Sequence, residues 1–587
     1  MAKFFLTNSP EWYQKTKDQI HASEFKMAFD YAESGVYALT VHKLKIDNIN
    51  ACREKNDDFV IATGTAIYKE SLDYSQLLKD FDGDINGTRE NTIGQYAYVI
   101  SKKGIATIFG DRAAAYDIYY YIGEDGQYFV SNFLYDMVAI IRERVTLYSK
   151  NLMEYACTNN VFGDGTIFKE IHRLAGEKYI TVKSEKFEIK EIPDVSMWPL
   201  IGDAKVEDVS KRLAEKFSYK ARVVAKVLGA PTISMTGGLD SRLVLSAFLS
   251  AGVKPHLFYG RSNTYIASPI KEDEMVLREL ADKYCLTWEI QDWDTKEPEK
   301  EWDKYLARYG FLYMHWGACK DILESYENTP SKAIVFGFGG EGFRNSFPLP
   351  TTNLTFTIDE IVDAYGVYAY RSNEVNYSNA KYKAHTRGKL LGIANKYCLK
   401  ENAITKSDTF YFEQEFIKNS HSLPPNLLNQ MRYVPSLLLE SDLIALSRVS
   451  FEDREGAMLM LRTMEQLKPG ITNTMFLTRG ECCVVNQRTM QLEPISKRDL
   501  HRTKAELLMK SIYHHFSALL RPLRNLYKKI ENRRRPISSL RYEYGEVEGR
   551  QQSFIEDKIL FADPRPVVYY KMVTRALEKL NFPYEWR

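Results

Sequence analysis

The chain has 587 residues, more than a single hydrophobic core normally supports, so we expect at least two domains. Hydrophobic residues make up 44% of the sequence and charged residues 27%, as in ordinary globular proteins. The 79 Lys and Arg nearly balance the 77 Asp and Glu, and the net charge of +2 gives no global field that would favour nucleic acid or an anionic membrane.

Further global features exclude other classes of protein. No apolar run approaches the roughly 20 residues that a membrane helix needs, and the first residues turn polar too early for a signal peptide. The seven cysteines are scattered without a C-x-x-C pair, which argues against a zinc or iron–sulfur site and fits a reducing compartment. The sequence therefore predicts a cytoplasmic protein without a membrane segment.

Residues 1–195 carry many short strand patterns bounded by Gly, Asp or Asn. The clearest strand predictions, where β-branched and aromatic residues dominate, are 59–62, 96–100, 105–109 and 128–131. Such a series of short strands predicts a two-layer sheet domain.

Residues 196–587 begin with alternating helix and strand patterns. A helix is predicted over Val206 to Val227 from its apolar spacing. Strands are predicted at 232–235, 256–259, 287–291 and 332–336. Strands separated by helices indicate a parallel sheet, with ligands at the C-terminal ends of the strands.

The stretch from Pro231 to Arg242, PTISMTGGLDSR, carries the chemistry of this second region. A short apolar strand leads into two glycines and then into a helix with one apolar face. Gly237 and Gly238 let backbone N–H groups approach an anion, and the helix N-terminus adds partial positive charge. The pattern predicts a phosphate-binding corner, with a plain strand–turn–helix corner as the alternative.

The polar residues beside the glycines favour the phosphate interpretation. Thr236 and Ser241 supply hydroxyl donors, and Asp240 suits a magnesium ion or a helix cap. Thr236-Gly-Gly-Leu-Asp-Ser241 resembles the Ser-Gly-Gly-x-Asp-Ser loop of the ATP pyrophosphatases (the PP-loop superfamily), which includes asparagine synthetase, β-lactam synthetase and lasso-peptide cyclases. The nucleotide-binding residues that this resemblance implies are Ser234, Met235, Thr236, Gly237, Gly238, Leu239, Asp240 and Ser241.

Three segments of the first region resemble the glutaminase domain of asparagine synthetase, in the family's order: Gly64–Tyr68, Gly110–Tyr120 and Gly165–Gly176. Within the second segment, we expect Asp111 and Arg112 to form a buried ion pair that braces a turn.

The resemblance implies an α/β protein with two domains. Residues 1–195 would form a class II glutaminase-like (Ntn-type) β-sandwich. Residues 196–587 would form a parallel-sheet adenine-nucleotide (PP-loop) synthetase domain with a helical C-terminal extension.

The first residues depart from the family pattern. Glutaminases of this class use an N-terminal cysteine whose free amine activates its own thiol. Met1-Ala2-Lys3 offers no such nucleophile, and Cys52 and Cys157 are internal. We therefore expect the glutaminase fold without glutamine hydrolysis.

A second glycine-rich stretch, Gly337-Phe-Gly-Gly-Glu-Gly-Phe-Arg-Asn345, follows the last predicted strand. It contains G-x-G-x-x-G, but the residues after it do not continue as a helix, so we reject a dinucleotide site. It resembles the second phosphate-side loop of asparagine synthetase, in either of two alignments three residues apart. In both, Glu341 is the implied catalytic acid, as a magnesium ligand or an amine-side carboxylate.

Other implied contacts carry open alternatives. Gly337 would line the nucleotide, and Arg344 would contact pyrophosphate or a substrate carboxylate unless it is an exposed loop arginine. Lys497 and Lys504 both fit the family's lysine at the transition-state phosphate, with a surface lysine as the alternative.

Two more segments of the second region bear on the site. Asp273 and Glu274 lie where the family's Asp-Glu helix faces the nucleotide, but we expect a solvated helix face for both. The segment Arg432–Leu438 resembles a family segment that shapes the substrate pocket, with its final Asp absent.

The segment 521–535 holds seven basic residues against one acid. A solvated helix is the expected form, and docking of an acidic or phosphorylated partner is the alternative. No aromatic stacking platform accompanies the basic run, which argues against nucleic acid.

The resemblance implies an amide-forming ligase that uses ATP and Mg²⁺. It would adenylate a carboxylate, releasing pyrophosphate, and pass the acyl group to an amine with release of AMP. An intramolecular closure of the β-lactam or lasso type is attractive because tethering makes the attack unimolecular. The alternatives are a glutamine- or ammonia-dependent amidotransferase and a non-catalytic nucleotide-binding partner in a biosynthetic assembly.

Overall fold

A computed structural model of the chain describes residues 2–33, 35–47, 50–158, 160–183, 186–193, 204–262, 270–293, 311, 320–344, 380–396, 423–447, 457–478, 481–495 and 573–582. The strands are β1 Phe4–Thr7, β2 Met27–Glu33, β3 Val36–Val41, β4 Ala51–Arg53, β5 Phe59–Gly64, β6 Ile67–Tyr68, β7 Thr92–Ile93, β8 Tyr96–Lys102, β9 Ile105–Gly110, β10 Tyr119–Ile122, β11 Tyr128–Ser131, β12 Ile171–Arg173, β13 Lys178–Lys183, β14 Lys186–Glu191, β15 Thr232–Ser234, β16 His256–Ser262, β17 Trp288–Trp293, β18 Ile334–Val335, β19 Phe476–Thr478, β20 Glu481–Asn486 and β21 Gln491–Pro494.

The α-helices are α1 Pro10–His21, α2 Tyr74–Asp80, α3 Ile85–Glu90, α4 Leu134–Ile141, α5 Ser149–Thr158, α6 Val206–Leu228, α7 Leu239–Ser250, α8 Ile270–Tyr284, α9 Lys320–Glu327, α10 Ala380–Lys396, α11 Leu423–Leu428, α12 Ser441–Ser447 and α13 Met458–Leu467. Short 3-10 helices lie at Arg142–Arg144, Gly340–Phe343, Leu437–Leu439 and Ile471–Asn473.

Two six-stranded antiparallel sheets form the N-terminal part, in the orders β12-β10-β11-β1-β3-β2 and β14-β13-β9-β8-β5-β4. Successive side chains of a strand point to opposite faces of its sheet. Phe4 and Leu6 of β1 accordingly pack between the sheets against Ile61 of β5 and Val99 of β8, whereas Phe5 belongs to the core on the other face.

Helices cover the outer faces of both sheets. Trp12 of α1 and Met137 of α4 share a core with Phe5, and Leu77 of α2 shares another with Val60 of β5. The N-terminal part is therefore a four-layer helix–sheet–sheet–helix sandwich. The predicted strands are confirmed, and the outer helices were not foreseen.

A four-stranded parallel sheet with the order β17-β16-β15-β18 follows later in the chain. The chain steps outward from β15 to β17 and then returns to pair β18 with the other side of β15. The strand order thus reverses between β15 and β18, and ligands of open α/β sheets bind in the crevice at such a reversal. The prediction of a parallel sheet is confirmed, and the loops after β15 and β18 both open onto its crevice.

The helices beside this sheet hold the first of those loops in place. Helix α6 buries one apolar stripe, which includes Val209, Leu213 and Phe217, and packs against α7 and α13. Helix α7 starts directly after the glycine pair, and nearly all its first ten residues are buried. The corner between β15 and α7 is therefore anchored in the largest core.

The two parts of the chain share a buried polar contact. Glu440 accepts hydrogen bonds from the N–H of Gly94 and from Nζ of Lys220, both at 2.8 Å. The amide of Gln95 donates to the carbonyl of Ser436 at 3.1 Å and accepts from its N–H at 2.7 Å. Burial raises the pKa of Glu440, and the charge of Lys220 opposes that rise.

Within the part of the chain that the structure describes, no helix combines the length and the apolar character needed to cross a bilayer.

Candidate functional site

The corner after β15 is closed by hydroxyl groups. Ser241 donates from Oγ to the carbonyl of Thr236 at 3.1 Å, and its Oγ lies 3.2 Å from both the N–H and the Oγ1 of Thr236. Gly238 occupies the N-cap position of α7, and no side chain caps the helix there. The first N–H groups of α7 therefore face the crevice without the side-chain acceptor that usually satisfies them.

Gly237 is held from both sides. Its N–H donates to Oδ1 of Asp273 at 2.6 Å, and its carbonyl accepts from the N–H of Leu477 at 2.9 Å. A Cβ atom at this position would lie 2.6 Å from Cδ1 of Leu477, so a larger residue would displace that side chain. The glycine is required for close packing, and its own N–H already has a partner.

Arg242 ties β19 and the two residues before it to the corner, and no local sequence pattern predicts this role. Its side chain is fully buried and donates to the carbonyls of Thr474 at 3.0 Å and Met475 at 2.5 Å. The guanidinium also lies 3.5 Å from the ring centroid of Phe476, a cation–π geometry. Backbone carbonyls and an aromatic ring thus contact the buried guanidinium directly, and the charge of Glu279 also favours its protonated form.

The solvated-face prediction is wrong for Asp273. Only 6% of the residue is exposed, and besides Gly237 it accepts from the hydroxyl of Tyr259 at 3.3 Å. Glu274 points the other way, stays partly exposed and pairs with Arg278 at 2.7 Å. The two adjacent carboxylates of α8 therefore have different surroundings, because only Asp273 lies on the face of the helix that packs towards the corner.

The second glycine loop packs directly on the start of α7. A Cβ atom at Gly337 would lie 2.6 Å from the backbone nitrogen of Ser241, and one at Gly340 would lie 2.2 Å from Cγ of Asp240. After the 3-10 helix Gly340–Phe343, Arg344 is extended, with φ −133° and ψ 164°. The rejection of a dinucleotide fingerprint is therefore consistent with the backbone through Arg344.

Three charged side chains meet where the loops touch. Nη2 of Arg344 lies 2.9 Å from Oδ2 of Asp240 and 3.6 Å from Oε1 of Glu341. Burial raises the pKa of Asp240 to about 7; Arg344 opposes this rise and Glu341 adds to it. Oδ1 of Asp240 is buried and has no hydrogen-bond partner.

These features fit a phosphate group and a divalent cation. The uncapped helix start offers N–H donors, the glycines allow the two loops to come into direct contact, and Asp240 has an unsatisfied oxygen. Asp240 and Glu341 are two carboxylates, a number with which Mg²⁺ often binds when phosphate oxygens complete its shell. Among the residues described, no group of three or more His, Cys, Asp or Glu side chains could hold a metal ion.

The remaining predicted residues of this region have other surroundings. The Oγ of Ser234 lies 3.0 Å from the hydroxyl oxygen of Tyr326. Met235 and Leu239 are buried in the core. Their side chains support the corner from behind. Lys497, Lys504 and the basic segment 521–535 lie outside the described residues.

The segment Arg432–Leu438 braces the second loop instead of lining open space. Arg432 donates to the carbonyls of Ser331 and Glu327, both at 2.7 Å. Gly339 has a φ of +105°, and a Cβ there would lie 2.7 Å from the carbonyl oxygen of Leu438. The position of this segment therefore fixes the path of the loop that carries Glu341.

The residues before β1 are packed into the sandwich. The N–H of Ala2 donates to the carbonyl of Val41 at 3.0 Å, and its own carbonyl accepts from Asn132 at 3.1 Å. Nζ of Lys3 is 2.7 Å from Asp136, and both are buried. Cys52 lies on β4, where burial raises its pKa to about 11 and so disfavours the reactive thiolate.

Asp111 braces a turn as predicted, but it does so through backbone hydrogen bonds and not through the predicted ion pair with Arg112. Asp111 is buried and braces the turn by accepting from the N–H groups of Ala115 and Tyr116, both at 3.0 Å. Its hydrogen bonds run to the backbone, and none of the ion pairs found among the described residues joins it to Arg112. Burial raises the pKa of Asp111 to about 6, against the effect of these hydrogen bonds.

Comparison with known proteins adds little to this picture. No protein-family model matches the chain, and no curated protein matches it. One similar solved structure is the glutamine phosphoribosylpyrophosphate amidotransferase from B. subtilis complexed with ADP and GMP, with 10% identity, a TM-score of 0.23, and coverage of 54% of this chain and 94% of that chain. Another, described as the allosteric regulatory enzyme of purine biosynthesis, has 10% identity, a TM-score of 0.23, and coverage of 47% and 69%. Likeness at this level carries no argument about function, which has to come from the site itself.

Proposed function

We propose that the protein is an ATP-dependent amide-forming ligase, which activates a carboxylate as an acyl-adenylate and transfers the acyl group to an amine. The observation that supports this most is the meeting of two glycine loops at the reversal of the parallel sheet. There α7 starts without a side-chain cap, and Asp240 of its first turn lies 2.9 Å from Arg344, which in turn lies 3.6 Å from Glu341.

The N–H groups at the start of α7, together with the hydroxyl of Thr236, would bind the β- and γ-phosphates of ATP. The N–H of Gly237 is excluded from this set because Asp273 already accepts from it. Asp240 and Glu341 would hold Mg²⁺, which would neutralise the charge that builds on the departing pyrophosphate.

The chemistry follows in two steps. A carboxylate oxygen of the substrate attacks the α-phosphorus, the bond from that phosphorus to the bridging oxygen breaks, and pyrophosphate leaves with the electron pair. An amine nitrogen then attacks the acyl carbon, the bond from that carbon to the AMP oxygen breaks, and the amine loses a proton. Glu341 is our candidate for accepting this proton, and Lys497 or Lys504 stays a prediction for the α-phosphate.

The N-terminal sandwich would keep the Ntn-type glutaminase fold as a scaffold. Ala2 and Lys3 carry neither a thiol nor a hydroxyl, and both are engaged with neighbouring residues. We propose that the amine is free ammonia, a second substrate or another group of the same substrate. Docking of an acidic or phosphorylated partner at 521–535, and a cytoplasmic location, also stay predictions.

The test is exchange of labelled pyrophosphate into ATP, screened against a panel of carboxylic acids and peptides. We expect exchange that depends on one class of acid, with AMP as the nucleotide product. Asp240→Asn should lower exchange by about 100-fold or more, whereas Asp282→Asn, a change at an exposed carboxylate of α8, should leave it unchanged.

Formation of ADP in place of AMP would refute the proposal. Release of glutamate from glutamine by the pure chain would support a glutamine-dependent amidotransferase instead. Nucleotide binding without exchange, for every acid in the panel, would support a non-catalytic partner.

A further inference from the structure

Arg344 lies between the two carboxylates that the proposed function assigns to magnesium. Its Nη2 is 2.9 Å from Asp240 and 3.6 Å from Glu341, and its side chain is 27% exposed. A guanidinium in this place supplies positive charge to both acids without a bound ion.

The partner of Arg344 is fixed in position. The backbone of Gly340 lies so close to the carboxylate of Asp240 that a Cβ there would be 2.2 Å from its Cγ. The carboxylate of Asp240 is therefore packed against the second loop, with Oδ1 also 2.2 Å from that Cβ position, and it has little freedom to move towards a cation. Arg344 leaves from the end of the 3-10 helix in an extended conformation, which lets its side chain reach back.

The ion pair leaves Asp240 incompletely satisfied. Arg344 engages Oδ2, while Oδ1 has no hydrogen-bond partner although it is buried. Strong arginine–carboxylate pairs are usually bidentate, with both oxygens engaged. A contact to one oxygen is weaker than a bidentate pair and is easier for a divalent cation to replace.

We propose that Arg344 occupies the cation position beside Asp240 in the nucleotide-free protein, so that the guanidinium and a divalent metal ion compete for it. The inference rests on the proposed function for the identity of the ligands. With nucleotide bound, Asp240 and Glu341 would hold the metal ion, and the guanidinium of Arg344 would contact the phosphate oxygens, which suit its planar set of donors.

The competition is measurable without turnover or a known acid. Binding of Mn²⁺ to the nucleotide-free chain is followed by the loss of the free-ion electron paramagnetic resonance signal. Arg344→Gln should bind Mn²⁺ at least about tenfold more tightly than the wild type, because a competing positive charge is gone. Arg344→Lys keeps a cation and should bind within about threefold of the wild type.

Two further measurements separate competition from a loosened loop. Adding Asp240→Asn to Arg344→Gln should abolish the gain in Mn²⁺ affinity. Binding of inorganic pyrophosphate without metal, measured by calorimetry, should weaken about tenfold in Arg344→Gln. A merely structural role of Arg344 would weaken both ligands.

Equal Mn²⁺ affinity in the wild type and Arg344→Gln would overturn the inference, and so would a gain that persists when Asp240 is replaced. If AMP forms but Mn²⁺ binding is unchanged, only this inference fails. If no acid supports AMP formation while the Mn²⁺ competition holds, only the proposed function fails.

Discussion

The sandwich and the parallel sheet differ in how the buried polar groups near their strand ends are paired. In the sandwich, Lys3 pairs with Asp136, and the backbone of Ala2 is bonded on both sides. Neither α4, which carries Asp136, nor α7 has a side-chain cap, but at the parallel sheet Asp240 keeps an unsatisfied oxygen. Because buried polar groups are normally paired, the difference indicates that one corner is complete and the other awaits a ligand.

Glycines are required for different contacts in the two parts of the chain. Gly94 of the sandwich has a φ of +115°, which L side chains rarely adopt, and a Cβ there would lie 2.1 Å from the carbonyl oxygen of Thr65. Gly337 and Gly340 have no such backbone constraint, and they are needed because two loops approach each other closely. At the second loop, the atoms that are approached belong to Asp240 and Ser241, at the start of α7.

The strongest test of this difference is Gly340→Ala. The new Cβ would clash with the carboxyl group of Asp240 and force the two loops apart, so we expect pyrophosphate exchange to fall by about 100-fold or more. Gly388→Ala is the matched control, since nothing lies within 4 Å of a Cβ at that exposed position of α10. Equal exchange rates in the two variants would contradict our account of the corner.

Lys3→Met tests whether the corner of the sandwich is purely structural. It leaves Asp136 buried without its cation, which should cost about 3–5 kcal/mol of unfolding free energy in a urea titration. Exchange per folded molecule should change by less than about twofold. The double change Lys3→Met with Asp136→Leu should recover most of the stability.

A large loss of exchange in folded Lys3→Met would show that the sandwich takes part in chemistry, and the contrast between the two corners would then fail.

Asp111 gives the sandwich a pH-dependent stability. Its pKa is raised from 3.8 to about 6 in the folded chain, so the folded form keeps a proton that the unfolded form has lost. The resulting stabilisation is complete below about pH 4 and disappears as the pH rises through about 6. Relative to Asp111→Asn, the wild type should lose on the order of 2 kcal/mol of unfolding free energy between these limits.

Urea titrations of both proteins at several pH values measure this difference. A wild-type advantage that grows with pH would mean that the N–H groups of Ala115 and Tyr116 outweigh the cost of burying the charge.

A smaller effect is expected from Asp273, whose carboxylate contacts the corner at Gly237. Asp273→Ala leaves the N–H of Gly237 without its acceptor, and we expect the KM for ATP to rise about tenfold. Asp273→Asn can still accept from Gly237 and donate to Tyr259, so its KM should stay within about threefold of the wild type. Glu274→Ala, at the partly exposed neighbour, is the control, and an equal effect there would remove the special role of Asp273.

Local patterns were sufficient to predict the strands, the long helix α6 and the corner at Gly237. Each depends on residues close in sequence, such as the apolar spacing of Val209, Leu213 and Phe217. The second loop can also be predicted from a local pattern, because four glycines in six residues, 337–342, indicate an irregular backbone.

The contacts that fix the corner could not be predicted in this way. Arg242 is buried only because β19, more than 200 residues later in the chain, brings carbonyl groups to it. The residues of its own helix predict an exposed position for Asp273, and its neighbour Glu274 is indeed partly exposed. The pairing of Arg344 with Asp240 spans 104 positions and depends on the strand order of the sheet.

The carboxylate of Glu440 is shared between the two parts of the chain, since Lys220 comes from one and Gly94 from the other. Separating the halves near residue 200 would expose this charge and leave the Gly94 turn without its acceptor. We therefore expect that the two parts do not fold independently at the boundary predicted near residue 195. A shortened gene that encodes only residues 196–587 should yield a protein that needs the missing part, supplied in trans, to order its two glycine loops.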